Sequence, residues 1–491
     1  MKRSALGLVA ALWVLSLGMA PVAGAAEDSA VIDAVRSGSL DRLRAVLTPG
    51  VNVNAPQGDG ATALHWAAHR NDVAAADLLL RAGAAVNAAN DLGATALWLA
   101  SLNGSDAMVK RLLEAGANPS VTIESGETPL MAAARSGSAA AVTLLASHGA
   151  DLNAQEQLRG QTALMWAADQ RHPRVVRALV QAGADVTVRS RVWRQLENTA
   201  GNTNPSGDFD MEHGGSTALL FAVRRGDVES TRILLDAGAD VNDTNAAGAS
   251  ALVVAAHSNQ GDVGELLLAR GADPNAAGAG YTALHAATLR GNTRLVRALL
   301  EKGADANALV THGSPVRRLS ADHSIRHQMI GLNALWIAAR LGHVDIARAL
   351  RARGAVATLV PKDGTPALKA AMGFVRGVTE NREGRYGAPR LEHSDEERLT
   401  LELARLLLEA GVDVNATDNA GESALFDAAR QRFDSVVEFL AAQGANVNVR
   451  NKRSQTPLTV LLTETYEAPP DSPVLNRQST IDLLRKLGSQ E

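Results

Sequence analysis

The 491-residue chain contains no cysteine. It can therefore form no disulfide, offer no thiolate to a metal and use no cysteine nucleophile. Aromatic residues are scarce as well, 3% of the chain against 46% hydrophobic residues overall. That excludes a single large aromatic-rich core. The apolar content is instead Ala, Leu and Val, which suits many thin layers. Neither sign of charge dominates: 48 Lys and Arg stand against 52 Asp and Glu, for a formal net charge of −4. This is too mild to argue for a nucleic-acid or membrane-surface partner. No nucleophile-elbow phrase, phosphate-cradling Gly–Lys–Ser/Thr loop or dinucleotide fingerprint occurs, so the chain reads as non-enzymatic and without a cofactor.

What the chain does have is a period of about 33 residues. Thr62–Ala63–Leu64–His65, Thr95–Ala96–Leu97–Trp98 and Thr128–Pro129–Leu130–Met131 open successive units. The phrase returns at Thr162, Thr217, Ser250, Thr282, Asn333, Thr365, Ser423 and Thr456, with a weaker copy at Ser29. These are twelve helix-turn-helix units, and a repeat of this length predicts an all-α stacked solenoid in which no unit buries its apolar face alone. A Gly stands 21 residues after the opening residue in ten units, from Gly50 and Gly83 to Gly354 and Gly444, where a helix end requires left-handed φ. Asn recurs 25 residues after the start (Asn54, Asn87, Asn153, Asn242, Asn275, Asn307, Asn448), a short amide suited to bonding turn backbone. Pairs such as Ala67–Ala68 and Ala167–Ala168 let first helices approach closely, and Val175, Val176 and Leu179 give the second helix its bulk.

Thr-Ala-Leu-His-Trp-Ala-Ala at 62–68, Thr-Ala-Leu-His-Ala-Ala at 282–287 and Gly-Ala-Asp-Val-Asn at 238–242 resemble the ankyrin repeat. The resemblance covers residues 28–491. It implies L-shaped units whose short β-hairpin fingers and first helices line a concave surface that binds another protein.

The N-terminus carries a basic start, Lys2–Arg3, an apolar run from Ala5 to Leu17, and small residues Ala23–Gly24–Ala25. This is the pattern of a cleaved signal peptide over 1–25, with the solenoid occupying 26–491. The apolar run is short for a membrane span of roughly 20 residues. With the Cys-free composition it reads as a bacterial periplasmic or secreted protein, a monomer when unbound, with no membrane insertion after cleavage.

Four segments break the period, near 188–214, 309–331, 374–397 and 464–477. The first two fall in the finger position and the last two between the helices of a unit. Such insertions concentrate function. In the first, Trp193 lies among Arg189, Arg191 and Arg194, either an interface anchor or a pin holding the loop. The second carries His312, His323 and His327, of which the last two share a helical face if the segment is helical; the alternatives are a zinc site or a solvated basic loop. In the third, Ser394–Asp395–Glu396–Glu397 reads as the cap and first turn of a helix running to Leu408, and the fourth as a tether before a helix at 479–487.

The residues seven and eight after each start define a stripe at the end of the first helices. It includes His69, Arg70, Arg135, Asp169, Gln170, Arg224, Arg225, His257, Arg290, Arg340 and Arg430. Arginines there can bind an acidic partner surface or serve the helix dipole, or both. Finger residues Arg159, Tyr281, Met329 and Ile330 complete the candidate partner-binding surface with Trp193. The reading is an exported protein-binding scaffold. A metal- or ligand-dependent enzyme built on the insertions and a secreted effector binding a host protein are the alternatives.

Overall fold

The computed structural model describes residues 23–198, 208–314, 325, 329–362, 364–372, 392–463 and 477–490. Contacts divide the chain into two compact units, one running to Leu158 together with Gln181–Ala184, the other comprising Arg159–Val180 and Asp185 onward. Each is a stack of short helices. In the first, Ala63–His69 packs on Ala96–Leu102, which packs on Pro129–Ser136. In the second, Ala163–Asp169 packs on Ala218–Arg225, and the series continues through Ala251–His257, Ala283–Leu289, Ala334–Leu341, Ala367–Met372, Ala424–Gln431 and Pro457–Thr463.

The repeated Thr, Ser or Asn starts these helices by capping them. Thr95, Thr128, Thr162 and Ser250 accept the backbone N–H three residues on, satisfying a donor the helix itself leaves open. In two units the fourth residue of the phrase is His. The rings of His65 and His285 bond Thr62 and Thr282 through Nδ1, and Nε2 lies 2.9 Å from the Ala94 carbonyl and 3.0 Å from that of Ala308. The imidazoles thus tie a cap to the next finger. The Ala pairs are fully buried, which lets first helices meet closely, while Leu79, Leu112, Leu145, Val175 and Leu299 fill the space behind them. Second helices end on a glycine such as Gly116 (φ +87°), where an added Cβ would meet no atom within 4 Å. The dihedral, not crowding, selects glycine there.

Several fingers are turns closed by two backbone bonds, as in Asn90 N–H to Ala94 O (3.0 Å) with Gly93 N–H to Asn90 O (2.8 Å), and Asp418 N–H to Glu422 O (3.0 Å) with Gly421 N–H to Asp418 O (2.9 Å). Fingers bond their neighbours: Asp91 N–H donates to Asp59 O, and Glu124 N–H to Leu92 O. Behind them the recurrent Asn joins consecutive units. Asn275 Nδ2 donates to Gly303 O (3.0 Å) and its Oδ1 accepts from Asp305 N–H (2.7 Å). Asn307 makes the same pair with Gly354 O and Val356 N–H, across the second insertion.

The first insertion forms an antiparallel ribbon of β1 (Val192–Asn198) and β2 (Asp208–Gly214), pairing Trp193 with His213 and Arg194 with Glu212. The enlarged finger expected in this insertion is thus a strand pair, and residues 199–207 between its strands lie outside the described residues. The helix of the third insertion starts two residues earlier than the Ser394 cap implied, at His393 after Glu392, and runs to Glu409. Asp395 and Glu396 do occupy its first turn. The last helix spans Arg477–Lys486. Residues 1–22 of the expected signal segment 1–25, His323 and His327, and residues 373–391 and 464–476 lie outside the described residues, and Ala23–Ala25 open the helix Ala23–Ser37. No described helix is long and apolar enough to cross a membrane.

Candidate partner-binding face

The ends of the first helices and the fingers carry the side chains that the stack leaves outside. His69, Arg70, Arg159, Gln170, Arg224 and Arg225 are exposed, and Arg135, Asp169, Trp193, His257, Arg290, Ile330, Arg340 and Arg430 half-buried. Two expected members are not available to a partner. Tyr281 is 7% and Met329 4% exposed. Burial pushes the Tyr281 hydroxyl up to about 12. Val310, Ile325 and Leu332 are buried as well, and the backbone is tied by Val310 N–H to Leu332 O and Leu332 N–H to Met329 O. At the apolar tip 329–332, Met329 and Leu332 are therefore buried, while Ile330 is half-buried and Gly331 exposed.

Several arginines of the stripe engage groups of the chain itself. Arg135 Nη2 lies 2.8 Å from Glu127 Oε1, at the base of its own finger. Burial raises the Glu127 carboxyl above its ordinary value, a tendency Arg135 opposes and Glu156 reinforces. The pattern recurs in a later unit: Arg430 binds Glu422 through both terminal nitrogens at 2.7 Å, again eight residues apart. Arg290 Nε donates to the His257 carbonyl (2.7 Å), capping the preceding helix. Arg340 lies 5.6 Å above the Trp336 ring. Asp169 receives Arg224 Nη2 (2.8 Å) and both Arg225 Nε (3.0 Å) and Nη2 (2.7 Å). Burial opposes its ionisation, and the bonds from Arg225 and Arg224 outweigh burial to hold the pKa below the usual range.

Sequence reasoning missed the most connected polar cluster. Lys369 is 7% exposed, with Asp427 at 2.7 Å, Asp418 at 3.4 Å and Glu422 at 3.5 Å. Burial opposes its charge, yet the three carboxylates hold its pKa above the ordinary value. Glu422 is drawn down to about 2, first by Arg430 and, against burial, also by Asn451. Lysine where other units carry Trp66, Leu99 or Phe221 was the available signal. The cluster is internally neutralised but for one carboxylate, and turned inward.

The ribbon is held at its base from both sides. Arg191 N–H donates to Arg159 O (2.7 Å), and Ala246 N–H to Gly214 O (3.0 Å). Arg189 reaches Gly215 O, Thr244 O and the Asp243 carboxylate. Trp193 sits between the Arg159 guanidinium, 4.1 Å from the ring centre, and the stacked His213 ring at 5.5 Å. Trp193 therefore pins the ribbon. On the other face Val192 and Leu196 remain 49% and 63% exposed, and Leu92 and Leu158 are exposed on other fingers. Among the described residues no group of three or more His, Asp or Glu is placed to hold a metal.

Comparison with known proteins identifies this architecture. The family model for ankyrin repeats (3 copies) matches residues 31–123, 109–190, 196–278, 219–310 and 275–361, and that for a single ankyrin repeat matches 420–452. Among curated proteins, the B-cell lymphoma 3 protein homolog of Mus musculus is 34% identical over 31% of this chain and 31% of its own length. The E3 ubiquitin-protein ligase KEG of Arabidopsis thaliana is 28% identical over 51% of this chain and 14% of its own. Ankyrin repeat and SOCS box protein 6 of Homo sapiens is 30% identical over 34% and 48%. The chain thus spans less than half of each. The crystal structure of the human ASB11 ankyrin repeat domain is 30% identical, covering 50% of this chain and 98% of that one with a TM-score of 0.41. The family matches span well over half of the sequence, and the chain belongs to the ankyrin-repeat family, whose repeats are a protein–protein interaction scaffold.

Proposed function

We propose that this chain is an exported, non-enzymatic scaffold that holds a partner protein on its fingers and first-helix ends, above all on the enlarged finger at 192–214. The observation that carries the reading is the ribbon itself. It is clamped to the fingers before and after it, yet turns Val192 and Leu196 outward beside the Arg194–Glu212 pair. A strand pair tied at its base that offers apolar side chains rimmed by charge suits a protein surface. The chain acts as a monomer when unbound.

The test is an affinity pull-down from an envelope extract, followed by purified binary binding, comparing the full chain with Val192→Thr/Leu196→Thr. Threonine keeps strand propensity while removing apolar area. A protein bound by the parent and lost from the variant, at unchanged melting temperature, is expected. Equal binding by both removes the ribbon from the site. Export rests on the 1–25 pattern. Fractionation of cells expressing the full chain should yield a product beginning near Ala26 outside the cytoplasm, and an intact Met1 there or cytosolic retention would overturn it.

A further inference from the structure

We propose that Asp169, Arg224 and Arg225 form a preset fork for a carboxylate on an acidic segment of the partner protein. This rests on the reading of the first-helix ends as a binding face and names the chemistry of one point on it. What sets it apart from the Arg135 and Arg430 pairs is a surplus of cation, and from Arg290 the sharing of one carboxylate by two adjacent guanidiniums. Arg135 and Arg430 are each matched by an acid of their own finger, and Arg290 is bonded to a carbonyl. Here a single carboxylate serves two guanidiniums, leaving one positive charge at side chains 53% and 48% exposed.

The donors are also unequally used. Arg225 engages both Asp169 oxygens. Arg224 gives Asp169 only Nη2, so its Nε and Nη1 bond no acceptor among the described residues. Its guanidinium is held from a second side by the buried Phe221 ring, 5.0 Å away. A guanidinium fixed on two sides loses little further freedom on binding, and its planar donors match a carboxylate. Asp169 demonstrates that match from within. The fork stands at the end of Ala218–Arg225, the helix that directly follows the ribbon in the chain.

Asp169 is both a positioning residue and the internal competitor for the arginines, which gives the test a sign. The probe is a fluorescently labelled octaglutamate peptide, titrated by anisotropy against the full chain, with octaglutamine as the neutral control. Arg224→Gln/Arg225→Gln should weaken octaglutamate binding about tenfold or more, and Asp169→Asn should tighten it severalfold. Arg294→Gln makes the same kind of charge change on a second helix, at a cation already flanked by Asp262 and Glu265, and should leave affinity unchanged. Circular dichroism melts confirm that each variant folds. Equal affinity of the parent and Arg224→Gln/Arg225→Gln, no binding at millimolar peptide, equal loss in Arg294→Gln, or weakening by Asp169→Asn would overturn the proposal. If the pull-down partner is still retained in that case, the scaffold reading stands and only the fork fails.

Discussion

Lys369 and Asp427 occupy the same place in successive units, four residues after Thr365 and Ser423, and their charged atoms meet at 2.7 Å although 58 residues separate them. The pair exists because first helices stack in register, so equivalent positions face each other. Lys369 is nearly buried, so removing it leaves Asp427, Asp418 and Glu422 with the Arg430 guanidinium as their one remaining cation among the described residues, two charges short of balance. Lys369→Met should cost about 3 kcal/mol, the usual penalty for an uncompensated buried charge. Adding Asp427→Leu should restore much of that. Urea denaturation of both variants measures it, and a Lys369→Met loss near zero would show the cluster to be solvated.

Acid should weaken the fold in two windows. Burial lowers His285 to about 4, against the hydrogen bonds its ring donates to the Ala308 and Leu332 carbonyls, and lowers His343 to about 4. Both rings are neutral in the folded state, whereas the unfolded chain binds protons near pH 6.5. Their stabilising contribution is complete above that pH and is lost as pH falls toward 4, roughly 3 kcal/mol for each ring. Glu422, drawn down to about 2, adds stability above pH 4.5 that disappears between 4.5 and 2. Urea midpoints measured from pH 7.5 to 4 should fall, and His285→Gln should flatten that slope. An unchanged slope would refute the assignment to His285.

The amide ladder should be locally severable. Asn275→Ala removes both the bond to Gly303 O and the acceptor for Asp305 N–H. The expected cost is about 1–3 kcal/mol. Hydrogen exchange should accelerate at Asp305. Asn275→Asp, which keeps the acceptor, should protect that amide more than the alanine does.

One strained site should be improvable. The position nine residues after the start is glycine in several units, but Arg171 holds it at φ +60° with an exposed side chain. Arg171→Gly relieves a left-handed L-residue and should stabilise by about 1 kcal/mol. Gly104→Ala, at φ +64° and with its Cβ 3.2 Å from Ser136 Oγ, should destabilise. Thermal melts of the two variants should move in opposite directions.

Much of the candidate face was visible in the repeat phase, because residues seven and eight after each start fall at one helix end. Their partners were not visible. Arg224 and Arg225 find Asp169 across an inserted ribbon, 55 and 56 residues away. No local spacing encodes a contact set by the stacking of two helices. Tyr281 and Met329 were misplaced for the same reason: both stand at a finger, but whether a finger side chain is covered depends on what the neighbouring segments lay over it. In the ribbon, Val192 and Leu196 share a face through strand alternation, a signal the polar run around Asn202 and Asn204 obscured.

The sequence by itself determined the repeat, the caps, the glycine stops and the Asn clamps. Each of these is a local requirement of backbone geometry or hydrogen bonding, written into a fixed offset within about 33 residues. Only the tertiary structure decided which charges are matched, which apolar tips are covered and which donors on Arg224 stay open. Those outcomes depend on distances between units, and a repeat fixes that units stack without fixing what the side chains at each junction meet.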